Sequence, residues 1–371
     1  MIIDEEELIC QLALRYVFGV GDINAKQLIS YAGSARQVLS MNRGKLEKIP
    51  GIGKRTIDSI LQKNTFKQAE SEFKAAKQRG VAVYSYMDQR YPARLKLVSD
   101  GPVVLFYKGS DVLLNTKIIG IVGTRNATSY GKRMTEMIIK DMKPHNALIV
   151  SGLAYGIDIT AHRSAIVEGL PTLGVLAGGI DKIYPSVHTK TVSEMIEHGG
   201  VISEKALGVV PEAHNFPARN RIIAGLSDAL IVIEAADKGG ALITAEIAYT
   251  YDRDVFAVPG DVLNKYSKGC NNLIAQQKAN IYTKLEDLEY LLNWDTHTRP
   301  GKERNNTIDL SKYGCDEKRI LEVLLQYKKG LQLDELSWKT QIPVNTTVSF
   351  LLKLEFEGVI RSMPGKTYAI N

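Results

Sequence analysis

Two clusters of potential ligand-binding residues flank one short apolar run in residues 216–248, FPARNRIIAGLSDALIVIEAADKGGALITAEIA. The first cluster precedes the run and comprises Arg219, Asn220 and Arg221. The second cluster follows the run and comprises Lys238, Gly239 and Gly240. Guanidinium groups bind phosphate oxygens in a bidentate manner, and a glycine-rich backbone exposes N–H groups to an anion. The pattern predicts a site for a phosphate-bearing ligand, with a merely charged helix start as the alternative.

A second glycine-rich loop occurs in GIVGTRNATSYGKR, where a predicted strand opens into a predicted helix. Gly123 permits a tight turn, Thr124 supplies a hydroxyl group, and Arg125 supplies a planar guanidinium group. A complete GxGxxG is absent here and GxxxxGK[ST] is absent from the chain, so neither a dinucleotide site nor a Walker-type ATP site is indicated. The alternative is that Arg125 only caps the end of a strand.

The segment SGLAYGIDITAHRSAI follows the next predicted strand. Ser151 and Gly152 end that strand, and Gly156 lets the chain enter a helix, of which we interpret Asp158 as the N-terminal cap. His162 has no His or Cys partner at metal-ligand spacing, so no metal site is predicted. A nucleophilic Ser151 is not indicated, because the GxSxG motif is absent.

Apolar runs alternate with helical stretches from about residue 80 onwards. Seven runs are predicted to be strands: 81–86, 103–109, 117–123, 147–152, 171–179, 229–235 and 254–260. Several of them lack polar alternation, which is typical of strands buried on both faces of a parallel sheet. We therefore predict an α/β, Rossmann-like domain with a doubly wound, mostly parallel sheet. Ligands of such sheets bind at the C-terminal ends of the strands.

Two glycine-hinged turns, in FGVGDINAKQLI and IPGIGKRTIDSIL, predict a tandem helix-hairpin-helix module over residues 1–70. An open helix N-terminus offers backbone N–H groups that can hold a DNA phosphate. The candidate backbone contacts are Gly19, Gly21, Gly51, Gly53 and Lys54. The alternative is a helical hairpin whose glycines only make the turns.

Residues 311–371 have a winged-helix pattern of helix, helix, turn, helix and β-ribbon, with Pro364 and Gly365 at the ribbon tip. The polar segment 296–310 is predicted to be a linker, which leaves residues 71–295 as the central domain. The second helix of the helix-turn-helix, VNTTVSFLLKLEFEG, holds one Lys against two Glu. Protein binding is therefore an alternative to DNA binding for this domain.

The composition bounds the class of protein. A chain of 371 residues with 44% hydrophobic and 24% charged residues indicates two or three globular domains. The net charge of +6 is spread along the chain, so we expect any nucleic-acid binding to use shaped pockets. No apolar run approaches the ~20 residues that span a bilayer. Three cysteines without a CxxC predict neither disulfides nor zinc, and we expect a cytoplasmic protein without cofactor or metal.

Taken together, the motifs resemble those of the DprA/Smf family of DNA-processing proteins. They occur in the family's order between about residues 85 and 285, as GIVGTR, SGLAYGIDITAH, AGGIDKIYP, FPARNRIIAGLSDALIVIEA, KGGALITAEIA and VPGD. The resemblance implies a Rossmann-like domain that binds single-stranded DNA. It also implies a homodimer that loads the RecA recombinase onto DNA held by single-strand binding protein, in the setting of natural transformation.

On this resemblance, the residues expected to contact single-stranded DNA lie in the strand-end loops: Gly123, Thr124, Arg125, Ser151, Gly152, Gly156, Phe216, Arg219, Asn220, Arg221, Lys238, Gly239 and Gly240. Phe216 would stack on a base, and the cations would contact phosphates. The family often has Ser-Gly-Ser after the basic residue, where this chain has Gly-Gly-Ala, so backbone N–H groups would replace a hydroxyl contact. A helix beginning near Arg219 would bring both clusters to one pocket, because such crossovers are right-handed.

Two other functions remain open on the sequence. Rossmann-like hydrolases of nucleoside monophosphates carry a PGGxGTxxE loop, of which this chain keeps the Gly-Gly pair and Glu246. Glu246 falls in mid-helix, where we favour a solvated position or a salt bridge over catalysis. The other alternative is an interaction protein whose winged helix recruits a partner. We predict the DNA-binding protein, and not an enzyme.

Overall fold

The structure, a computed structural model, describes residues 4–62, 64–294, 310–327, 330–363 and 367–370. The chain forms two compact units, Met1–Thr296 and His297–Asn371. The predicted linker lies mostly outside the described residues, as do Pro364 and Gly365 at the predicted ribbon tip. No described helix combines the length and the apolar character needed to cross a membrane.

Six helices begin the first unit: α1 (Glu5–Arg15), α2 (Asp22–Ala32), α3 (Ala35–Ser40), α4 (Arg43–Leu46), α5 (Lys54–Leu61) and α6 (Thr65–Gln78). Gly21 caps α2 and Gly53 caps α5, and neither helix receives a side-chain hydrogen bond at its N-terminus. Gly19 and Gly51 have φ values of 76° and 78°, which favour glycine. The glycines therefore make both turns, and the tandem helix-hairpin-helix interpretation stays a prediction.

The centre of the first unit is one nine-stranded sheet. Its strands are β1 (Ala82–Ser85), β2 (Val104–Gly109), β3 (Ile118–Val122), β4 (Leu148–Ser151), β5 (Thr172–Val175), β6 (Gly200–Ser203), β7 (Ala229–Val232), β8 (Asp254–Ala257) and β9 (Asn280–Ile281). The spatial order is β1-β2-β6-β5-β4-β3-β7-β8-β9. The seven strands β6-β5-β4-β3-β7-β8-β9 are all parallel to one another. Strand β2 runs antiparallel to both β1 and β6. The predicted mostly parallel α/β sheet is confirmed.

Both faces of this sheet are covered by helices, named α7 (Ala93–Lys96), α8 (Ser129–Asp141), α9 (Ile157–Glu168), α10 (Thr189–His198), α11 (Asn215–Leu226), α12 (Gly240–Thr250), α13 (Lys268–Ala275) and α14 (Leu285–Leu292). Successive residues of β3 enter different cores, because side chains alternate across a strand. Val122 packs in the core that contains α11 and α12, and Ile121 packs in the core that contains α8 and α9.

Residues 1–70 do not form a compact unit of their own. Leu12 and Leu14 of α1 share one hydrophobic core with Val104 and Phe106 of β2. The predicted domain boundary at residue 70 falls inside α6, which continues to the start of the sheet. The helical residues are thus fixed against the sheet by a common core.

The second unit has the predicted winged-helix architecture. It comprises α15 (Cys315–Gln326), β10 (Leu331–Gln332), α16 (Leu333–Thr340), α17 (Val344–Phe356), β11 (Ile360–Met363) and β12 (Thr367–Ile370). The three strands pair in the order β10-β12-β11, with both pairs antiparallel. Ile320, Leu336 and Leu351 contribute one core residue from each helix, which holds the three helices together.

Candidate nucleic-acid interface

A cavity of about 540 Å³ lies at the C-terminal ends of the neighbouring strands β3 and β7. We call it the strand-end pocket. Its lining residues come from the loop after β3, the loop after β7 and the start of α11 and α12: Gly123, Thr124, Arg125, Phe216, Arg219, Asn220, Lys238, Gly239 and Gly240 among them. The structure therefore brings most of the predicted site residues into one cavity, at the edge where parallel sheets bind ligands.

Two exposed cations of the strand-end pocket are available to a ligand. Arg125 and Lys238 are both exposed, and neither forms an ion pair within the described part of the chain. The Arg125 guanidinium carbon lies 5.4 Å from the centre of the Phe216 ring, within cation–π distance. A phosphate bound to Arg125 would thus lie beside an aromatic face on which a base can stack.

Two helix N-termini also open into the strand-end pocket. α12 begins directly after Gly239, and α11 begins at Asn215, and neither first turn is capped by a side-chain hydrogen bond. Free N–H groups and the helix dipole make such ends favourable for anions. The prediction that α11 begins near Arg219 is wrong by one turn, because Asn215 to Ala218 are already helical.

Arg219 lies deep in the strand-end pocket and not on its surface. Its Nη1 donates hydrogen bonds to the carbonyl oxygens of Gly152 (2.6 Å) and Val175, and its Nε donates to Asn220 Oδ1 at 3.1 Å. Burial lowers the pKa of Arg219 to about 10, and the negative charge of Asp158 opposes the shift. Arg219 is therefore a charged residue at neutral pH that also ties together the ends of β4 and β5.

Asp158 does not act as the N-terminal cap that the sequence predicts. The N-cap of α9 is Gly156, and Asp158 is the second residue of the helix. Its Oδ2 accepts hydrogen bonds from the N–H groups of Gly152 (3.2 Å) and Ala154 (3.3 Å), so it stabilises the preceding loop. Burial raises the pKa of this carboxyl, and the Arg219 charge opposes that shift.

Three further predicted contact residues support the loops and do not line the strand-end pocket. Ser151 is fully buried and donates to the carbonyl oxygen of Ile121 at 2.6 Å. Gly152 packs against the Arg219 guanidinium, which lies 2.5 Å from where a Cβ would stand. Gly156 has a φ of 76°, and a Cβ there would lie 2.2 Å from the Thr124 carbonyl oxygen. Their role is to let the loops approach one another closely.

Arg221 is not part of the strand-end pocket, contrary to the sequence-based prediction. Its Nη2 pairs with Asp22 of α2 at 3.0 Å and with Glu204, and its Nη1 donates to the carbonyl oxygen of Asp100. Residues two apart in a helix point about 200° from one another, so Arg219 and Arg221 face opposite sides of α11. Arg221 joins the N-terminal helices to the sheet.

Glu234 holds the loop that carries Arg125. Its carbonyl oxygen accepts the N–H of Thr124 at 2.7 Å, and its carboxylate accepts the N–H of Thr128 at 2.9 Å together with the Thr128 hydroxyl. The side chain of Glu234 is almost fully buried. The loop after β3 is therefore fixed at both ends before any ligand binds, which keeps Arg125 in place.

Sequence reasoning missed Tyr184, which lines the strand-end pocket beside Phe216. The two rings meet edge to face with their centres 5.8 Å apart, and Tyr184 is half-exposed. The available signal was its place in AGGIDKIYP, a strand-exit loop whose only aromatic residue is this tyrosine.

Two residues considered for other chemistry have structural partners. His162 is fully buried, and its Nδ1 lies 2.7 Å from the Thr172 hydroxyl. Glu246 lies in the middle of α12 and pairs with Lys278 at 2.8 Å, which is the salt bridge favoured on the sequence. Neither residue lines the strand-end pocket.

Known protein families and structures are similar to this chain. The family model described as DNA recombination-mediator protein A matches residues 82–293, and the model of the DprA winged helix domain matches residues 315–366. The first match covers more than half of the chain. The chain is also 41% identical over 215 residues to the DNA processing protein DprA of Bacillus subtilis, which covers 58% of this chain and 72% of that protein.

Two solved structures share the fold. The X-ray structure of DNA processing protein A from Streptococcus pneumoniae matches with a TM-score of 0.67 and 32% identity, over 78% of this chain and 98% of that one. DNA processing protein A from Helicobacter pylori, described for its single-stranded DNA binding mode, matches with a TM-score of 0.53 and 28% identity. That match covers 58% of this chain and 97% of the other.

Proposed function

The chain belongs to the DNA recombination-mediator protein A family, and we propose that it binds single-stranded DNA in the strand-end pocket. The single observation that carries this proposal is that Arg125 and Lys238, two cations without an ion pair among the described residues, line one cavity with Phe216. Cations bind the backbone of any sequence, and an aromatic ring stacks on any base. Such a combination suits a protein that binds single strands without reading their sequence.

The preference for single strands follows from the aromatic residues. Phe216 and Tyr184 can stack only on bases that are free of a complementary strand. The bases of a duplex are already stacked and paired, so a duplex offers the strand-end pocket its phosphates alone. We therefore expect single-stranded DNA to bind more tightly than duplex DNA of the same length.

The cellular role that we propose is the family's: the protein delivers single-stranded DNA to the RecA recombinase. Under this proposal a homodimer takes over DNA coated by single-strand binding protein during natural transformation. Family membership supports the role as a recombination mediator, and the names of the family and of its relatives are not those of enzymes. Catalysis by Glu246 gains no support from its pairing with Lys278 outside the strand-end pocket.

A competition experiment tests the proposal. A labelled thymidine oligonucleotide is bound to the full chain and displaced by unlabelled single strands or duplexes of equal length and at equal salt. We expect the single strands to displace the label at lower concentration. Equal displacement by duplex would contradict a pocket that relies on stacking.

A further inference from the structure

A second pair of aromatic rings lies in the loops after β4 and β5, outside the strand-end pocket. Phe216 contacts Tyr184. His188, four residues after Tyr184, contacts Tyr155 with the ring centres 5.1 Å apart. Tyr155 follows Ala154, which lines the pocket, but Tyr155 itself is not a lining residue. Tyr155 is half-exposed, 50% against 53% for Tyr184. One exposed aromatic ring, that of Tyr155, therefore lies after β4 without a role in the strand-end pocket.

The backbone that leads into Tyr155 is fixed. Asp158 accepts the N–H of Ala154 at 3.3 Å, and Ile159 donates to the Ala154 carbonyl oxygen at 3.1 Å. The neighbouring Leu153 is buried in a left-handed conformation with a φ of 59°, which non-glycine residues rarely adopt. Its carbonyl oxygen lies 2.8 Å from His188 Nδ1. Tyr155 is thus presented to solvent from a loop with a fixed backbone, so little backbone freedom has to be lost when a base stacks on its ring.

An exposed cation follows His188 in the chain. Lys190, two residues after His188, is exposed and forms no ion pair within the described ranges. The cations of the strand-end pocket come from the loops after β3 and β7, whereas Tyr155 and Tyr184 come from the loops after β4 and β5. In the sheet these four strands are adjacent in the order β5-β4-β3-β7. The part of this edge formed by β4 and β5 therefore offers aromatic rings, with the cation Lys190 following in the same segment.

We propose that Tyr155 is a further base-stacking site, which receives a nucleotide of the strand beyond those held at Phe216. The DNA then leaves the strand-end pocket across the ends of β4 and β5, with Lys190 near its backbone. This inference rests on the proposed binding of single-stranded DNA and assigns the direction in which the bound strand continues.

The test measures affinity for thymidine oligonucleotides of increasing length, with the full chain and its Tyr155→Ala variant. On the shortest oligonucleotides that bind, the two proteins are expected to bind equally. On longer ones the variant is expected to bind about fivefold to 150-fold more weakly, the range for loss of one stacked base. Tyr155→Phe keeps the ring and should bind as the wild type does.

The matched control is Tyr249→Ala. Tyr249 is 52% exposed, and it lies nine residues beyond the start of α12, about 14 Å from the pocket end of that helix. Its loss should leave binding unchanged at every length. Thermal melting of each variant shows whether it is folded.

Three results would overturn the inference. Equal binding by the wild type and Tyr155→Ala at every length, while Arg125→Ala weakens binding, would remove Tyr155 from the path and leave the proposed function standing. An equal loss of affinity in Tyr155→Ala at every length would place Tyr155 among the contacts of the strand-end pocket instead. Loss in both the Ala and the Phe variants would assign the effect to the hydroxyl group and not to stacking. A wild type that binds no single strand would refute the proposed function itself.

Discussion

Replacing Arg221 by Ala should destabilise the first unit without weakening DNA binding. The guanidinium of Arg221 is surrounded by the carboxylates of Asp22 and Glu204 and by the Asp100 carbonyl oxygen. The side chain of Arg221 is only 15% exposed, that of Asp22 21% and that of Glu204 8%. Burial lowers the pKa of Arg221, and the negative charges of Glu204, Asp22 and Asp100, together with Tyr251, raise it by more. The cluster is therefore a mostly buried ion-pair network, and not a group of surface charges.

The expected magnitude follows from what Arg221→Ala leaves behind. Removing one partner of a buried pair typically costs about 3–5 kcal/mol, because the remaining charge is uncompensated. The lower end applies here, since Glu204 keeps a contact with Lys205 at 3.3 Å. At roughly 2 °C per kcal/mol for a large unit, the melting temperature should fall by about 6 °C. Glu204→Gln added to Arg221→Ala should restore part of the loss.

The assay combines thermal melting with DNA binding well below the melting temperature. Arg221 faces away from the strand-end pocket, so the folded variant should bind a thymidine oligonucleotide as tightly as the wild type. A variant that melts normally but loses DNA binding would refute this assignment and return Arg221 to the DNA-contacting residues.

Three further outcomes are expected. Arg125→Ala should reduce the slope of log affinity against log salt by about 0.7–1, because one phosphate contact is lost, and an unchanged slope would exclude Arg125 from the interface. Gly156→Ala should lower the melting temperature and weaken DNA binding, since its Cβ would displace the Thr124 carbonyl in the Arg125 loop, and unchanged values would contradict that packing. Burial lowers the pKa of His162 from 6.5 to about 3, so the folded state holds it neutral. Below pH 6.5 the unfolded state binds a proton on this histidine that the folded state does not. The free energy of unfolding is therefore unaffected above pH 6.5 and falls towards pH 3, by up to about 1.4 kcal/mol per pH unit. His162→Asn should reduce proton uptake on unfolding near pH 5 by about one, and equal uptake would contradict a neutral buried histidine.

The parallel sheet and its ligand edge were predictable because they depend on local patterns. Continuous apolar runs such as ALIV in β7 are buried on both sides, and glycine-rich loops follow them. Strand β6 was missed, because its apolar run is only the pair Val201 and Ile202, set between a glycine and a serine. Its partner β2 is antiparallel, which no pattern within either strand can indicate.

The sequence could not indicate that Arg219 lies in the strand-end pocket whereas Arg221 forms ion pairs on the opposite side of α11. This difference depends on where α11 begins and on which element lies on each side of the helix. Asp22, which pairs with Arg221, is 199 residues away in the chain. Tyr184 was missed for a similar reason, since only the folded chain places its exit loop against Phe216.

The most direct test of the central claim is the affinity of an Arg125→Ala/Lys238→Ala double variant for a thymidine oligonucleotide. The control is Lys67→Ala/Lys140→Ala, which removes two exposed charges on α6 and at the last turn of α8, both without an ion pair among the described residues. With melting temperatures equal to that of the wild type, the first variant should bind on the order of 100-fold more weakly, from the loss of two charge-assisted contacts. The control should bind within about twofold of the wild type. Equal affinities of the two double variants would contradict a DNA-binding role for the strand-end pocket.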